Sequence, residues 1–148
     1  MKKYVCKLCG YVELKESPPE KCPQCGAPRS QFEEREDALK KAADEENLTE
    51  LEKKHIAVIK QGGSCSLVEG CLDVNVEIGS IIHPMEPDKH WIMFADVYLE
   101  KEFISRIKFN PVRLYPAFKL HLKEAEGEFG VVTHCNLHGN YISAKKVG

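Results

Sequence analysis

Two Cys-x-x-Cys-Gly units, Cys6-Lys7-Leu8-Cys9-Gly10 and Cys22-Pro23-Gln24-Cys25-Gly26, stand twelve residues apart near the start of the chain. No other feature of the sequence constrains its fold as strongly. Each turn aims two thiolates at one centre, and its glycine permits the tight backbone that leaves amide hydrogens facing sulfur. Together Cys6, Cys9, Cys22 and Cys25 make a tetrahedral four-sulfur site, which suits zinc or a single iron. So short a segment cannot bury enough apolar surface to fold unaided, so a metal must hold it, contributing about 10 kcal/mol. A thioredoxin-like redox pair fits less well, because there are two knuckles and no βαβ pattern around them.

The 148 residues contain seven cysteines and six histidines. The stretch Met1-Lys2-Lys3-Tyr4-Val5-Cys6 lacks the apolar segment of a signal peptide, and no apolar run reaches the length of a membrane span. The expected compartment is cytoplasmic, where metal binding explains many cysteines better than disulfides do. A net charge of −2 offers no basic excess for phosphate contacts, so neither nucleic acid nor a membrane is an expected partner.

Composition divides the chain into three. Residues 1-32 form the cysteine-rich module. Residues 33-54 form a charged linker in which Glu33 to Asn47 predicts a solvated helix with a thin apolar stripe. Ser30 with Glu33, and Thr49 with Glu52, have the spacing of capping boxes. Residues 55-148 then carry short runs rich in Val, Ile, Phe and Tyr, punctuated by turn residues such as Gly62-Gly63, Gly79-Ser80 and Asn110-Pro111. In Leu72-Asp73-Val74-Asn75-Val76-Glu77-Ile78 apolar and polar residues alternate at every step, as in a half-buried strand. Seven such runs predict an all-β main domain, a seven-stranded antiparallel immunoglobulin-like β-sandwich.

The segment from Tyr4 to Val12, with Pro19 to Pro28, resembles rubredoxin and most of all the rubredoxin-like domain of rubrerythrins. That resemblance favours iron at the four-cysteine site and implies one-electron transfer.

All six histidines follow residue 54. Cys135-Asn136-Leu137-His138-Gly139 can present two ligands from one turn, and His83-Pro84-Met85-Glu86-Pro87-Asp88-Lys89-His90 holds two imidazoles on a loop stiffened by proline. Lys54-His55, Gly79-Ser80 with the His83 to Ile92 segment, and Cys135 to Gly139 together resemble the superoxide reductases (neelaredoxin and desulfoferrodoxin), in the right order from residue 53 to 143. The resemblance implies a mononuclear iron with four equatorial imidazoles, from His55, His83, His90 and His138, an axial thiolate from Cys135, and a sixth position open to solvent. It implies one-electron reduction of superoxide to hydrogen peroxide, an external electron donor such as rubredoxin or a reductase, and a homo-oligomer. Zinc, which prefers four ligands and has no redox chemistry, suits that set less well than iron.

Lys54 immediately precedes the first histidine and is the expected catalytic helper. An ammonium about 5 Å from superoxide gives roughly 3 kcal/mol of attraction at an effective dielectric near 20. Three features depart from the family pattern. Lys53 stands where a glutamate is usual, with Glu52 one position off. The loop from His83 to His90 is one residue longer, at Pro87. The second half of the prefix is Cys22-x-x-Cys25 rather than a pair of adjacent cysteines. Cys65 and Cys71 are expected as buried small apolar side chains, and His121 and His134 lie outside the ligand set. Two other classes fit the same residues: an iron electron carrier or redox sensor without turnover, and a zinc ribbon fused to a silent sandwich.

Overall fold

A computed structural model describes residues 1–148, apart from the side chain of Ser64. The N-terminal strands β1 (Lys3–Cys6), β2 (Val12–Glu13) and β3 (Phe32–Arg35) form a small antiparallel sheet in the order β2-β1-β3. After one short helix, α1 (Glu50–His55), come β4 (Ala57–Ser64), β5 (Cys71–Ile78), β6 (Ile92–Leu99), β7 (Glu102–Lys108), β8 (Ala117–Lys123), β9 (Gly127–Cys135) and β10 (Gly139–Val147). These make two antiparallel sheets, β10-β9-β6-β7 and β4-β5-β8. The seven-stranded sandwich is therefore present as predicted. Among the described residues, no helix is long and apolar enough to cross a membrane.

Alternation along the strands builds the sandwich core. Val74, Val76 and Ile78 of β5 face Ile92, Ala95 and Val97 of β6 and Phe129 and Val131 of β9. The apolar run from Val112 to Leu122 becomes a strand only from Ala117, because the backbone after Asn110 turns: Val112 N–H donates to the Asn110 side chain at 2.9 Å.

The four-stranded sheet is buried on its other face too. Tyr98, Val132, Phe103 and Ile142 pack there against Val5, Tyr11, Val12, Leu14, Ala38 and Leu39. Tyr98 Oη–H donates to the Val12 carbonyl at 2.7 Å. The Arg106–Asp96 ion pair, whose side chains are 5% and 0% exposed, lies in the same contact. One Arg106 nitrogen donates to the Cys9 carbonyl at 2.7 Å. The cysteine module is thus docked on the sandwich through a shared apolar layer rather than tethered beside it.

The linker differs from expectation. Phe32–Arg35 is a strand paired with β1, and the helix expected over Glu33 to Asn47 does not form. Ala38 and Leu39 are drawn into the second core, and Lys40 N–H donates to Asn140 O while Ile142 N–H donates to Lys40 O, each at 2.9 Å. Burying two apolar side chains and pairing with β10 outweighs the modest helix preference of the charged residues. The Ser30–Glu33 box is likewise absent, since Ser30 sits in a 3-10 turn and Glu33 in β3. The Thr49–Glu52 box does form and starts α1: Glu52 N–H donates to Thr49 Oγ1 at 3.1 Å, and Thr49 N–H to Glu52 Oε1 at 2.8 Å.

Candidate metal centres

The two knuckles are near copies. Gly10 N–H donates to Cys6 O at 2.9 Å and Gly26 N–H to Cys22 O at 2.8 Å, with both glycines at φ near +80°. Only a residue without Cβ adopts that conformation without strain. The four sulfurs converge, with Cys6–Cys25 at 3.7 Å and Cys9–Cys22 at 3.6 Å. Four sulfurs about 2.3 Å from one centre would stand about 3.8 Å apart. Burial pushes the Cys9 and Cys22 thiols up, so the set needs a cation at its centre to hold both as thiolates.

At one end of the sandwich, α1, the loop between β5 and β6, the end of β9 and the β9–β10 turn bring five donors together: His55, His90, Cys135 and His138 lie mutually close, and His83 joins them beside His55. Ring centroids follow a closed circuit: His55–His83 4.6 Å, His83–His90 4.5 Å, His90–His138 4.9 Å, His138–His55 4.9 Å. The His55–His90 diagonal is longer, 6.0 Å, and neighbouring rings stand at 71° to 80° to one another. His55 Nε2 lies 3.1 Å from His83 Nε2, and His138 Nδ1 lies 3.2 Å from His90 Nε2. Four nitrogens about 2.1 Å from one centre on a square would have edges of about 3.0 Å. Cys135 Sγ is 3.8 Å from His138 Nδ1 and within 4.8 Å of the facing nitrogens of His55 and His90.

Backbone carbonyls fix which nitrogen faces inward. His55 Nδ1–H donates to Leu51 O and His83 Nδ1–H to Pro84 O, both at 2.7 Å. A carbonyl only accepts, so each ring carries its proton on Nδ1 and turns the Nε2 lone pair to the centre. Burial holds the His83 imidazole down at about 4 and also lowers those of His55 and His90. These rings are therefore neutral, as ligands must be.

The framework is braced independently of any metal. Thr133 Oγ1–H donates to His55 O at 2.8 Å, and the Tyr141 ring stacks on His55 at 4.8 Å. Asn136 ties two ligand-bearing segments together: its side chain accepts from Trp91 N–H at 2.9 Å and donates to Lys89 O at 3.0 Å. At Gly79 (φ +93°) a Cβ would lie 2.3 Å from Ile81 O and 2.7 Å from Lys54 O, so the turn that carries His83 back beside α1 requires glycine.

A desulfoferrodoxin family model matches residues 47–143. The chain belongs to the desulfoferrodoxin family. Residues 4–33 match the rubredoxin-like domain of rubrerythrin. Over 48 residues the chain is 46% identical to reverse rubrerythrin-1 of Clostridium acetobutylicum, covering 32% of this chain and 26% of that protein. Over 30 residues it is 57% identical to a putative rubrerythrin of Methanocaldococcus jannaschii, covering 20% and 15%. The chain thus spans about a quarter or less of these curated relatives. Among solved structures it is similar to the superoxide reductase of Nanoarchaeum equitans, with a TM-score of 0.53 and 25% identity over 64% of this chain and 94% of that one. The superoxide reductase of Treponema pallidum gives a TM-score of 0.50 and 26% identity over 63% and 66%. A neelaredoxin from Ignicoccus hospitalis shares the fold, with a TM-score of 0.58 and 23% identity over 74% and 92%.

Both donor sets fit iron. Four sulfurs at tetrahedral spacing suit a single iron, and four imidazoles with one sulfur exceed the four ligands zinc prefers. Lys54 is exposed beside the second centre, and its charge adds to the lowering at His90. Glu52 spends its carboxylate on the α1 cap, and Lys53 pairs with Glu50 at 3.2 Å. Lys40 is a cation the sequence reading missed. Its Nζ donates to His138 O at 2.7 Å and stands 5.3 Å from the Tyr141 ring centroid. Nothing in the charged run around it distinguishes Lys40 from Lys41; only the pairing with β10 does. His134 points away from Cys135, stacked on Phe94 at 4.0 Å. Cys65 and Cys71 are not buried apolar residues: they are half-exposed, joined as a disulfide, and approached by His121.

Proposed function

We propose that this chain is a superoxide reductase. His55, His83, His90 and His138 hold iron through imidazole nitrogens and Cys135 holds it through its thiolate. The gathering of Cys135 and four imidazoles at one end of the sandwich is the observation that carries this reading. Iron held there would supply one-electron chemistry, reducing superoxide to hydrogen peroxide at the expense of an external donor such as rubredoxin or a reductase.

The chain's own residues divide the remaining work. Imidazoles carry no negative charge, so with Cys135 as the one thiolate a divalent iron site would keep a net positive charge, which favours an anion. Cys135, 3% exposed, offers its sulfur from the buried side and pushes electron density toward the metal. Lys54 supplies a mobile positive charge on the solvent side that draws superoxide in. Glu52, held by the helix cap, is not available as a resting-state ligand without breaking that cap.

The module of residues 1-32 serves as an electron relay, held by residues 33-54 against the domain of residues 55-148. Docking supports this role. A Cβ at Gly10 would lie 3.4 Å from Phe94 Cζ, so the first knuckle touches that ring. Phe94 stacks on His134, the residue before Cys135, and the Arg106 guanidinium lies 3.7 Å from the Phe94 centroid while bonding Cys9 O. One continuous packed path therefore joins the two sets of sulfurs.

Three outcomes test the reading. Cys135→Ser reduces superoxide consumption to background while the four-sulfur centre keeps its iron; normal consumption in that variant contradicts the assignment. Lys54→Ala lowers the second-order rate with superoxide by about tenfold at low ionic strength and flattens its salt dependence; an unchanged rate removes Lys54 from the reaction. Phe94→Leu slows electron equilibration between the centres several-fold, followed by flash reduction at unchanged iron content; an unchanged rate places the path elsewhere.

A further inference from the structure

A third group of metal-ligating side chains lies outside both centres. Along β5 the core takes Leu72, Val74, Val76 and Ile78, so Cys71 and Asp73 share the opposite face. On β8, Phe118, Leu120 and Leu122 face the core, which turns His121 outward, directly across from Asp73 in the strand register. Cys65 follows β4 and closes over the same spot. Gly62 makes this possible, since a Cβ there would come within 3.0 Å of Asp73 Cβ.

Each member of the group faces the others. His121 Nδ1 is 3.4 Å from both Cys65 Sγ and Cys71 Sγ. Asp73 Oδ1 is 2.8 Å from His121 Nδ1 and 3.5 Å from Cys71 Sγ. Leu67 N–H donates to Cys65 Sγ at 3.3 Å, the amide-to-sulfur contact that stabilises a thiolate. Lys119 Nζ is 3.9 Å from Asp73 Oδ2, on the side away from the sulfurs' contact oxygen. A tetrahedral zinc with sulfur at about 2.3 Å and nitrogen or oxygen at about 2.1 Å has sulfur-to-nitrogen and sulfur-to-oxygen edges of about 3.6 Å. The contacts of His121 and Asp73 with sulfur are close to those edges, so binding would require the sulfurs to separate and the 2.8 Å His121–Asp73 contact to open.

The disulfide has little to gain as a staple. It spans six positions of a hairpin already closed by β4–β5 pairing, and short loops gain least from cross-linking. We propose that the reduced pair, Cys65 and Cys71, with His121 and Asp73, forms a zinc site, and that the disulfide is its oxidised, metal-free state. Reduction by a dithiol or phosphine breaks the sulfur–sulfur bond and gives two thiols, whose protons leave as zinc binds. Oxidation by a peroxide reverses this. The two thiolates lose two electrons and form the disulfide, the peroxide takes those electrons with two protons to give two waters, and zinc departs as the free dication. β4 runs its eight residues from beside His55 to this site, so the two lie about 25 Å apart and zinc here is not an occupant of the His–Cys centre.

The test uses the full chain with iron in both centres, reduced with a phosphine, exposed to zinc(II) and freed of excess metal. Elemental analysis should show one added zinc per chain with iron unchanged. Cys65→Ser with Cys71→Ser should take up none, and His121→Ala, which keeps both thiols, should bind zinc at least about tenfold more weakly. Hydrogen peroxide should then release the zinc and remove two titratable thiols. No uptake by the reduced chain, uptake matched by loss of iron, or undiminished uptake in the double serine variant would each overturn the proposal.

Discussion

Strand β9 is buried on both faces, and the rest of the molecule is arranged around that fact. Phe129 and Val131 enter the sandwich core while Val132 enters the layer beneath the cysteine module. The alternation of a strand continues to its end, so Cys135 turns toward the four imidazoles and His134 toward Phe94 and the Arg106–Asp96 pair. A single pleat thereby puts one sulfur in the second centre and the neighbouring imidazole against the module that carries the first. Shifting β9 by one residue against β6 or β10 would exchange those two side chains and disconnect both.

The second centre is formed by backbone as much as by side chains. Its donors come from a helix end, one long loop, the last residue of β9 and a hairpin turn. The carbonyls of Leu51 and Pro84, the Thr133 hydroxyl on His55 O and the two-sided Asn136 bridge set ring orientation before a metal arrives. Ordering the ligands in advance spares the metal the entropic cost of gathering them, so binding energy goes into affinity and redox tuning. The four-sulfur module works differently: its paired glycine turns shape each knuckle, but the burial of its thiols leaves the metal to hold them together.

Much of this was legible. Cys-x-x-Cys-Gly spacing carries its own geometry, and the β5 alternation stated which face was buried. The ordered series of Lys54-His55, His83 to His90 and Cys135 to His138, through its resemblance to the superoxide reductases, named the five side chains that the fold brings to one end of the sandwich. What escaped was every consequence of the module docking on the sandwich. The run Val131-Val132-Thr133-His134-Cys135 is apolar at successive positions, as in a strand covered on both sides, but nothing local says what covers it. Ala38-Leu39 read as a thin helical stripe because their burial depends on partners far away in sequence. Lys40 and Asn136 were invisible for the same reason. Cys65 and Cys71 looked like core filler, because two cysteines around a glycine turn carry no sign of a histidine arriving from β8.

In the proposed function the five-donor centre passes one electron to superoxide rather than converting part of it to dioxygen. Product stoichiometry tests this most directly. Superoxide delivered by pulse radiolysis to the reduced, iron-loaded chain, with a donor present, should yield one hydrogen peroxide for each superoxide consumed and no dioxygen. One hydrogen peroxide for every two superoxide ions, with dioxygen evolved, would mean dismutation and would contradict it.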